Sequence, residues 1–373
     1  MDRAWADIDL AAIAHNVRTL RDLASPARLC VVVKANGYGH GAAAVGRAAV
    51  AAGADWLAVA QVDELVTLRD ASIEAPLLLL SEPRLDEIGD ALATGARFTV
   101  YSPAGIAALA RAVRARRSRA VPVHVKVDTG MHRVGVAPGE LASTVRTIID
   151  LAELRLEGLC THLPVADEPD NPYTADQLAR FDALVAEVRA AGIDPGIVHA
   201  ANSAGTIAHP RARYDMVRCG IAVYGIPPAP ALAGAADLRP ALTLASEVSF
   251  VKPVTAGEGV SYGHHHHLAH DTVVATVPVG YADGVFRSLP LAGQAVLIRG
   301  VRRPIVGVVT MDQLMVDCGP GSDVSPGDRV VLLGQQGDER ITPDEWAARL
   351  GTIAYEVVCA IGPRVGRHYR SSP

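Results

Sequence analysis

From about residue 28 to 220, short apolar runs alternate with longer stretches whose apolar positions recur every three or four residues. The runs at 29–34, 56–60, 76–80, 98–101, 121–127, 156–161, 197–200 and 216–218 predict strands. Near-continuous hydrophobicity, without alternation, is what a strand buried on both faces requires. The intervening patterns at 103–116, 141–154 and 174–191 predict helices, with a shorter one around 86–88. Eight strands alternating with helices over roughly 200 residues predict a (β/α)8 barrel of the TIM type. An open doubly wound sheet is the competing architecture, but it would leave edge strands to be covered.

The period changes after Pro227-Pro228-Ala229-Pro230. Strand-like runs then follow at 246–254, 272–279, 294–299, 304–309, 314–318 and 329–333, punctuated by turns at Gly300 and Gly319-Pro320-Gly321. A short helix begins at Thr342 as N-cap, with Pro343 at its first position and Glu345 at its third. The pattern therefore predicts α/β plus β: a barrel over 1–235 and a mainly β domain over 236–373. A strand-like segment at about 4–10 is free to join the β domain, and Asp9 is placed to cap the helix after it.

Half of the residues are hydrophobic, enough for a large core. The net charge of -5 gives no basic footprint for nucleic acid. No apolar stretch has the length of a membrane span, and the first residues do not read as a signal peptide. Five scattered cysteines read as small core residues in a reducing compartment, so the expected location is the cytoplasm.

Lysine usage is more informative. The chain has three lysines, Lys34, Lys126 and Lys252, against thirty-two arginines. A lysine kept against that bias is needed as an amine, because a guanidinium neither deprotonates nor forms a Schiff base. Lys34 and Lys126 each end a strand-like run, and Lys252 reads equally well as a solvated surface residue. Barrel chemistry collects where strands end. There too fall His162 after the sixth run, Asn202-Ser203 after the seventh, and Arg218 with Gly220 at the eighth. A serine and a glycine-bearing loop after the last two strands suit a phosphate. A lysine opposite such a site suggests pyridoxal phosphate in aldimine linkage.

The residues themselves closely resemble the alanine racemase family, fold-type III pyridoxal-phosphate enzymes, nearly end to end. Val33-Lys34-Ala35-Asn36-Gly37-Tyr38-Gly39-His40-Gly41 resembles its cofactor-lysine signature. Lys126-Val127-Asp128-Thr129-Gly130-Met131-His132-Arg133 resembles its second signature, and Ser261-Tyr262-Gly263 and Met311-Asp312-Gln313 its marks in the β domain. The resemblance implies pyridoxal 5'-phosphate on Lys34, with Lys34 and Tyr262 as the two catalytic bases of a homodimer whose sites are shared. It implies cofactor contacts from Tyr38, His162, Ser203, Arg218, Gly220, Ile221 and Tyr355, with His199 supporting Arg218. Arg133 and Met311 would hold the substrate carboxylate. Lys126, carrying a carbamate, and Asp312 would support that site. The implied activity is interconversion of L- and D-alanine for cell-wall peptidoglycan.

Some positions depart from the pattern. His132 precedes Arg133 where glycine is common, Leu163-Pro164-Val165 replaces a more usual Phe-Ala-Thr, and Val308 stands where an arginine is common in the access corridor, near Asp167, Tyr281, Arg287 and Ile353. These keep open a racemase of broader substrate range. A decarboxylase of the same fold type and a non-enzymatic carrier of the cofactor also compete; Arg218 and Tyr262 argue against the first, and a whole β domain bearing the proposed second base against the second. The run His264–His267 invites a metal, but successive strand residues alternate faces and do not converge on one ion.

Overall fold

The computed structural model describes residues 2–371. Its contacts divide the chain into two compact units: one of Ala12–Gly37 and Ala42–Arg239, the other of the residues up to Ala11, Tyr38–Gly41 and Pro240 onward.

The first unit is the expected barrel. A strand of the other unit, β1 (Ala4–Asp9), precedes it in the chain. The barrel strands are β2 (Arg28–Val32), β3 (Trp56–Val59), β4 (Leu77–Leu79), β5 (Arg97–Val100), β6 (Val121–Lys126), β7 (Leu154–Cys160), β8 (Ile197–His199) and β9 (Met216–Cys219). Each pairs in parallel with its neighbour in the order β8-β7-β6-β5-β4-β3-β2-β9. The remaining seam, β8 to β9, is bridged where Asp215 N–H donates to Val198 O and Arg218 N–H to Ala201 O, at 3.0 and 2.9 Å. The described strands thus form a nearly closed barrel, which excludes the doubly wound sheet. β3 and β4 are buried along their whole length, as their unbroken apolar runs demand.

Helices alternate with these strands and start where local chemistry dictates. Ser102 caps Pro103–Ala115 by accepting the Gly105 N–H at 2.9 Å, with Pro103 at the first position. Tyr173–Ala190 and Leu141–Asp150 occupy the other two predicted stretches.

The second unit is mainly β. Its sheet comprises β1, β10 (Leu242–Glu247), β11 (Phe250–Val254), β14 (Thr272–Val277), β15 (Ala295–Ile298), β16 (Val301–Val306), β17 (Leu314–Asp317), β18 (Arg329–Gln336), β19 (Glu339–Ile341) and β20 (Gly366–Arg370). A separate hairpin pairs β12 (Gly259–Val260) with β13 (His266–His267). β1 runs antiparallel to β10 and parallel to β20. Thr342 caps Pro343–Leu350 through the Glu345 N–H, and Asp9 accepts the Ala11 N–H at 2.8 Å.

One expected strand, 246–254, is in fact two. Val248 N–H donates to Asp328 O and Ser249 N–H to Thr276 O, so the chain leaves one partner for another at that corner. β10 then pairs with β1 and β18, and β11 with β14.

Candidate active site

The implied site residues divide between the two units. In the barrel unit, Lys34 opens a segment unlike any ordinary strand end. Ala35, Asn36 and Gly37 have φ/ψ of 52/50°, 51/48° and 61/46°, and Tyr38 has φ 50°. This is a turn of left-handed helix, which costs about 1–2 kcal/mol for each residue bearing a Cβ. The backbone is held there by named bonds. Gly37 N–H donates to Val33 O at 2.8 Å, and Ala42 N–H to Asn36 Oδ1 at 3.0 Å. Glu64 accepts from Ala35 N–H and from Ala60 N–H. Lys34 thus leaves the strand on a backbone fixed by Glu64 and Asn36.

Arg218, on β9, is buried at 6% exposure. Its Nη2 donates to Thr161 O at 2.8 Å and Ala200 O at 3.0 Å, and lies 3.3 Å from His162 Nδ1. Nη1 lies 2.6 Å from His199 Nδ1. Burial lowers the Arg218 pKa, and among the described residues no acid forms an ion pair with it.

His162 marks where the cations meet. Burial pushes its pKa well below the ordinary histidine value, and Arg218, Lys126, Arg133 and Lys34 all press in the same direction. Lys126 is itself buried, which lowers its pKa toward the neutral amine; Arg133 and Arg218 add to that against Cys160 and Asp128. Among the described residues Lys126 forms no ion pair. Asp128 is engaged with its own loop, accepting the N–H groups of Gly130, Met131 and His132 at 2.9, 2.9 and 3.1 Å.

Two backbone N–H groups converge on Ser203 Oγ, Gly220's at 2.9 Å and Ala222's at 3.4 Å. The loop after β9, which also holds Ile221, therefore aims amide donors toward one point. Amide donors, a hydroxyl and the surrounding cations form a donor set suited to a phosphate. The amine of Lys34 suits a carbonyl cofactor, so the residues present fit pyridoxal phosphate.

In the β unit, the rings of Tyr38 and Tyr355 lie 6.2 Å apart at 54°. Tyr262 sits in a short turn after Ser261 (φ 67°) and is 73% exposed. Ser261 Oγ donates to Val308 O at 2.8 Å, so Val308, itself buried, braces the Tyr262 turn with its carbonyl. Tyr262 and Val308 line a cleft of about 340 Å³ together with His265, His266, His267 and Leu291. Among the described residues no group of three or more histidine, cysteine or acidic side chains is arranged to hold a metal. Met311 is 53% exposed and its carbonyl accepts the Ala282 N–H at 3.1 Å. Asp312 is paired with Arg364 at 2.7 Å.

Similarity to known proteins agrees with this geometry. The chain matches the family models described as alanine racemase, N-terminal domain, over residues 8–228 and alanine racemase, C-terminal domain, over residues 241–369. The chain belongs to the alanine racemase family. It is 50% identical over 369 residues to an alanine racemase of Symbiobacterium thermophilum, covering 99% of this chain and 97% of that one. It is 46% identical to one of Mycobacterium tuberculosis, covering 99% and 96%. The crystal structure of an alanine racemase from Streptomyces lavendulae superposes with a TM-score of 0.93 at 39% identity, over 100% of this chain and 98% of that chain. One from Bacillus anthracis with bound L-Ala-P gives 0.92 at 36%, over 99% and 95%. This member of the alanine racemase family is an isomerase, as the resemblance of its motifs implied.

Sequence reasoning missed several residues on which the site depends. Glu64 and Asn36 brace the Lys34 turn, and Gln177 Nε2 donates to His162 O at 2.7 Å. His124 Nδ1 lies 2.8 Å from His199 Nε2. A signal for His124 was present: it stands two residues before Lys126 and so shares its strand face.

Proposed function

We propose that this enzyme interconverts L- and D-alanine with pyridoxal 5'-phosphate bound to Lys34, as a cytoplasmic homodimer supplying D-alanine for peptidoglycan. The observation that carries this reading is the buried Arg218, 3.3 Å from His162 Nδ1, in a site where Lys126, Arg133 and Lys34 also act electrostatically on that histidine. Such a concentration of positive charge, with no acid among the described residues paired to Arg218, calls for an anionic cofactor and an anionic substrate. Cys30, Cys160, Cys219 and Cys318 are buried core thiols, which accords with a reducing compartment.

When bound, pyridoxal phosphate supplies an electron sink for the pair left on the α-carbon. The chain's own residues do the rest. Ser203 and the Gly220–Ile221 loop would hold the phosphate, and Tyr38 and Tyr355 would be further contacts to it. Arg133 takes the substrate carboxylate, oriented by a carbamate on Lys126 and helped by the Met311 backbone with Asp312 in support. Arg218 would present to the ring nitrogen a donor that does not give up its proton, and so would not serve as an acid there. The Lys34 amine removes or returns the α-proton on one face. Tyr262 of the partner subunit does the same on the other, since inversion at a planar carbon needs a base on each side. The exposure of Tyr262, Met311 and Ile353, each more than half open to solvent, supports a partner over that surface.

Borohydride reduction of the enzyme should fix the cofactor to the peptide containing Lys34; labelling at Lys126 or Lys252 refutes the assignment. Mixing Lys34→Ala with Tyr262→Ala chains should restore part of the activity through hybrid dimers. No recovery once hybrids are demonstrated would put both bases in one chain.

A further inference from the structure

A line of polar side chains runs through the barrel from Arg218, and the activity as read so far does not account for it. His199 Nδ1 lies 2.6 Å from Arg218 Nη1, and His199 Nε2 lies 2.8 Å from His124 Nδ1. His124 Nε2 in turn lies 3.4 Å from Glu157 Oε2. Both histidines are buried, at 1% and 0% exposure. Barrel interiors are ordinarily packed with branched apolar side chains, so a buried polar line of this kind requires every member to be paired.

The direction of the line follows from its ends. A guanidinium only donates, so His199 Nδ1 must accept and, in the neutral ring, the proton sits on Nε2. That N–H donates to His124 Nδ1, which leaves the His124 proton on Nε2 to donate to the Glu157 carboxylate. Burial lowers the pKa of both histidines, in keeping with neutral rings. Burial alone would raise the pKa of Glu157, but the bonds from His124 and Arg155 outweigh it and hold it at about 2. A donor-only cation at one end and an acceptor-only anion at the other permit a single orientation of the bonds between them.

Local backbone and packing are built around this line. The β6–β7 register steps between Val123↔Leu156 and His124↔Gly158, which leaves Glu157 as an extra, bulged residue. Bulges re-aim side chains, often beside active sites. Gly158, between β6 and β8, gives the rings room to meet: a Cβ there would lie 2.4 Å from His124 Nδ1 and 2.7 Å from Ile197 O. Trp56 on β3 packs edge-on to His124, centroids 5.6 Å apart, and strands three places apart meet in this way only through the barrel interior. At the outer end Arg97 lies over the Trp56 ring at 4.9 Å and pairs with Glu157 at 3.3 Å, while Arg155 pairs with it at 2.9 Å.

We propose that Glu157 is a positioning residue for the reaction, acting through His124 and His199 to orient Arg218 and to supply its distant counter-charge. The proposal rests on the reading that Arg218 faces the cofactor ring.

The test has two parts. In the apoenzyme labelled with 15N-histidine, the His124 and His199 rings should both be neutral and protonated on Nε2 throughout the range in which an ordinary histidine titrates. A proton on Nδ1 of either ring overturns the proposal. In the holoenzyme, Glu157→Gln should lower kcat roughly tenfold with KM little changed, as loss of an outer orienting group does elsewhere. Glu157→Asp should retain most of the rate, because it keeps the charge. In a His124→Gln background, the Glu157→Gln change should add less than about a twofold loss, because the path is already cut. Losses that multiply in the double variant, or no loss in Glu157→Gln, would show that Glu157 serves only its pairs with Arg97 and Arg155. The ring-proton result uses no cofactor, so it stands even if borohydride labelling at Lys34 fails.

Discussion

The left-handed turn after Lys34 gives the sharpest test of how the site is held. Ala35 has φ 52° and is exposed, so replacing it with glycine removes a backbone penalty without opening a cavity. The penalty for a residue with a Cβ in this region is about 1–2 kcal/mol. Glycine gives part of that back, about 0.4–1 kcal/mol, by enlarging the entropy of the unfolded chain. Ala35→Gly should therefore stabilise the enzyme by roughly 0.5–1 kcal/mol. Urea denaturation of the apoenzyme reads this as a higher midpoint at unchanged slope. The same substitution loosens the backbone that aims Lys34, so kcat should fall while stability rises. Asn36→Ala is the companion change. It loses the bond to the Ala42 N–H and a residue tolerant of this conformation, so both stability and kcat should fall. A lower midpoint for Ala35→Gly would refute the argument that the turn stores strain. A higher midpoint at undiminished kcat would refute its role in aiming Lys34.

The rest of the site has consequences of its own. Tyr262→Phe should cut α-proton exchange in D2O from one enantiomer by ~10²–10⁴-fold while exchange from the other persists; equal losses would make Tyr262 a substrate-positioning group. Lys126→Ala should retain the cofactor's visible absorption but lose activity, with partial rescue by a short added carboxylic acid, and no rescue would argue against a carbamate. The Glu157 pKa is depressed from 4.5 to about 2, so its contribution to stability is fully present above pH 4.5 and is lost as the pH falls through about 2. Wild type and Glu157→Gln should accordingly differ in urea midpoint at neutral pH and converge near pH 2, whereas a pH-independent gap would mean that Glu157 acts through shape and not through charge.

The barrel was legible because buried parallel strands leave unbroken apolar runs, and strand ends then placed Lys34, Lys126, His162, Ser203 and Arg218 on one face. The corner at Val248-Ser249 was not legible, because the apolar run continues through a change of hydrogen-bond partners. Nor was the turn at Lys34–Tyr38: Ala35 has no left-handed preference, and the bonds that hold it come from Glu64 and Asn36 rather than from its own chemistry. His124 and Glu157 were missed for a different reason. The spacing to Lys126 gives the face of His124 but not its partners, and Glu157 reads as an ordinary polar residue; the register step at Glu157 and the room above Gly158 bring them into line with His199.

That line also answers a question of charge. A buried arginine without a paired acid is expensive unless the field of an anion reaches it. On the proposal that Arg218 faces the cofactor ring, a carboxylate bonded directly to Arg218 would compete with that ring for its donors and would offer a proton acceptor beside it. Setting the carboxylate two neutral imidazoles away satisfies the charge while keeping that acceptor out of the reacting space. The arrangement costs one bulged residue and one glycine, both in β7. It leaves Arg218 and Lys126 without an ion-paired acid among the described residues, in keeping with a site for a phosphate and a substrate carboxylate.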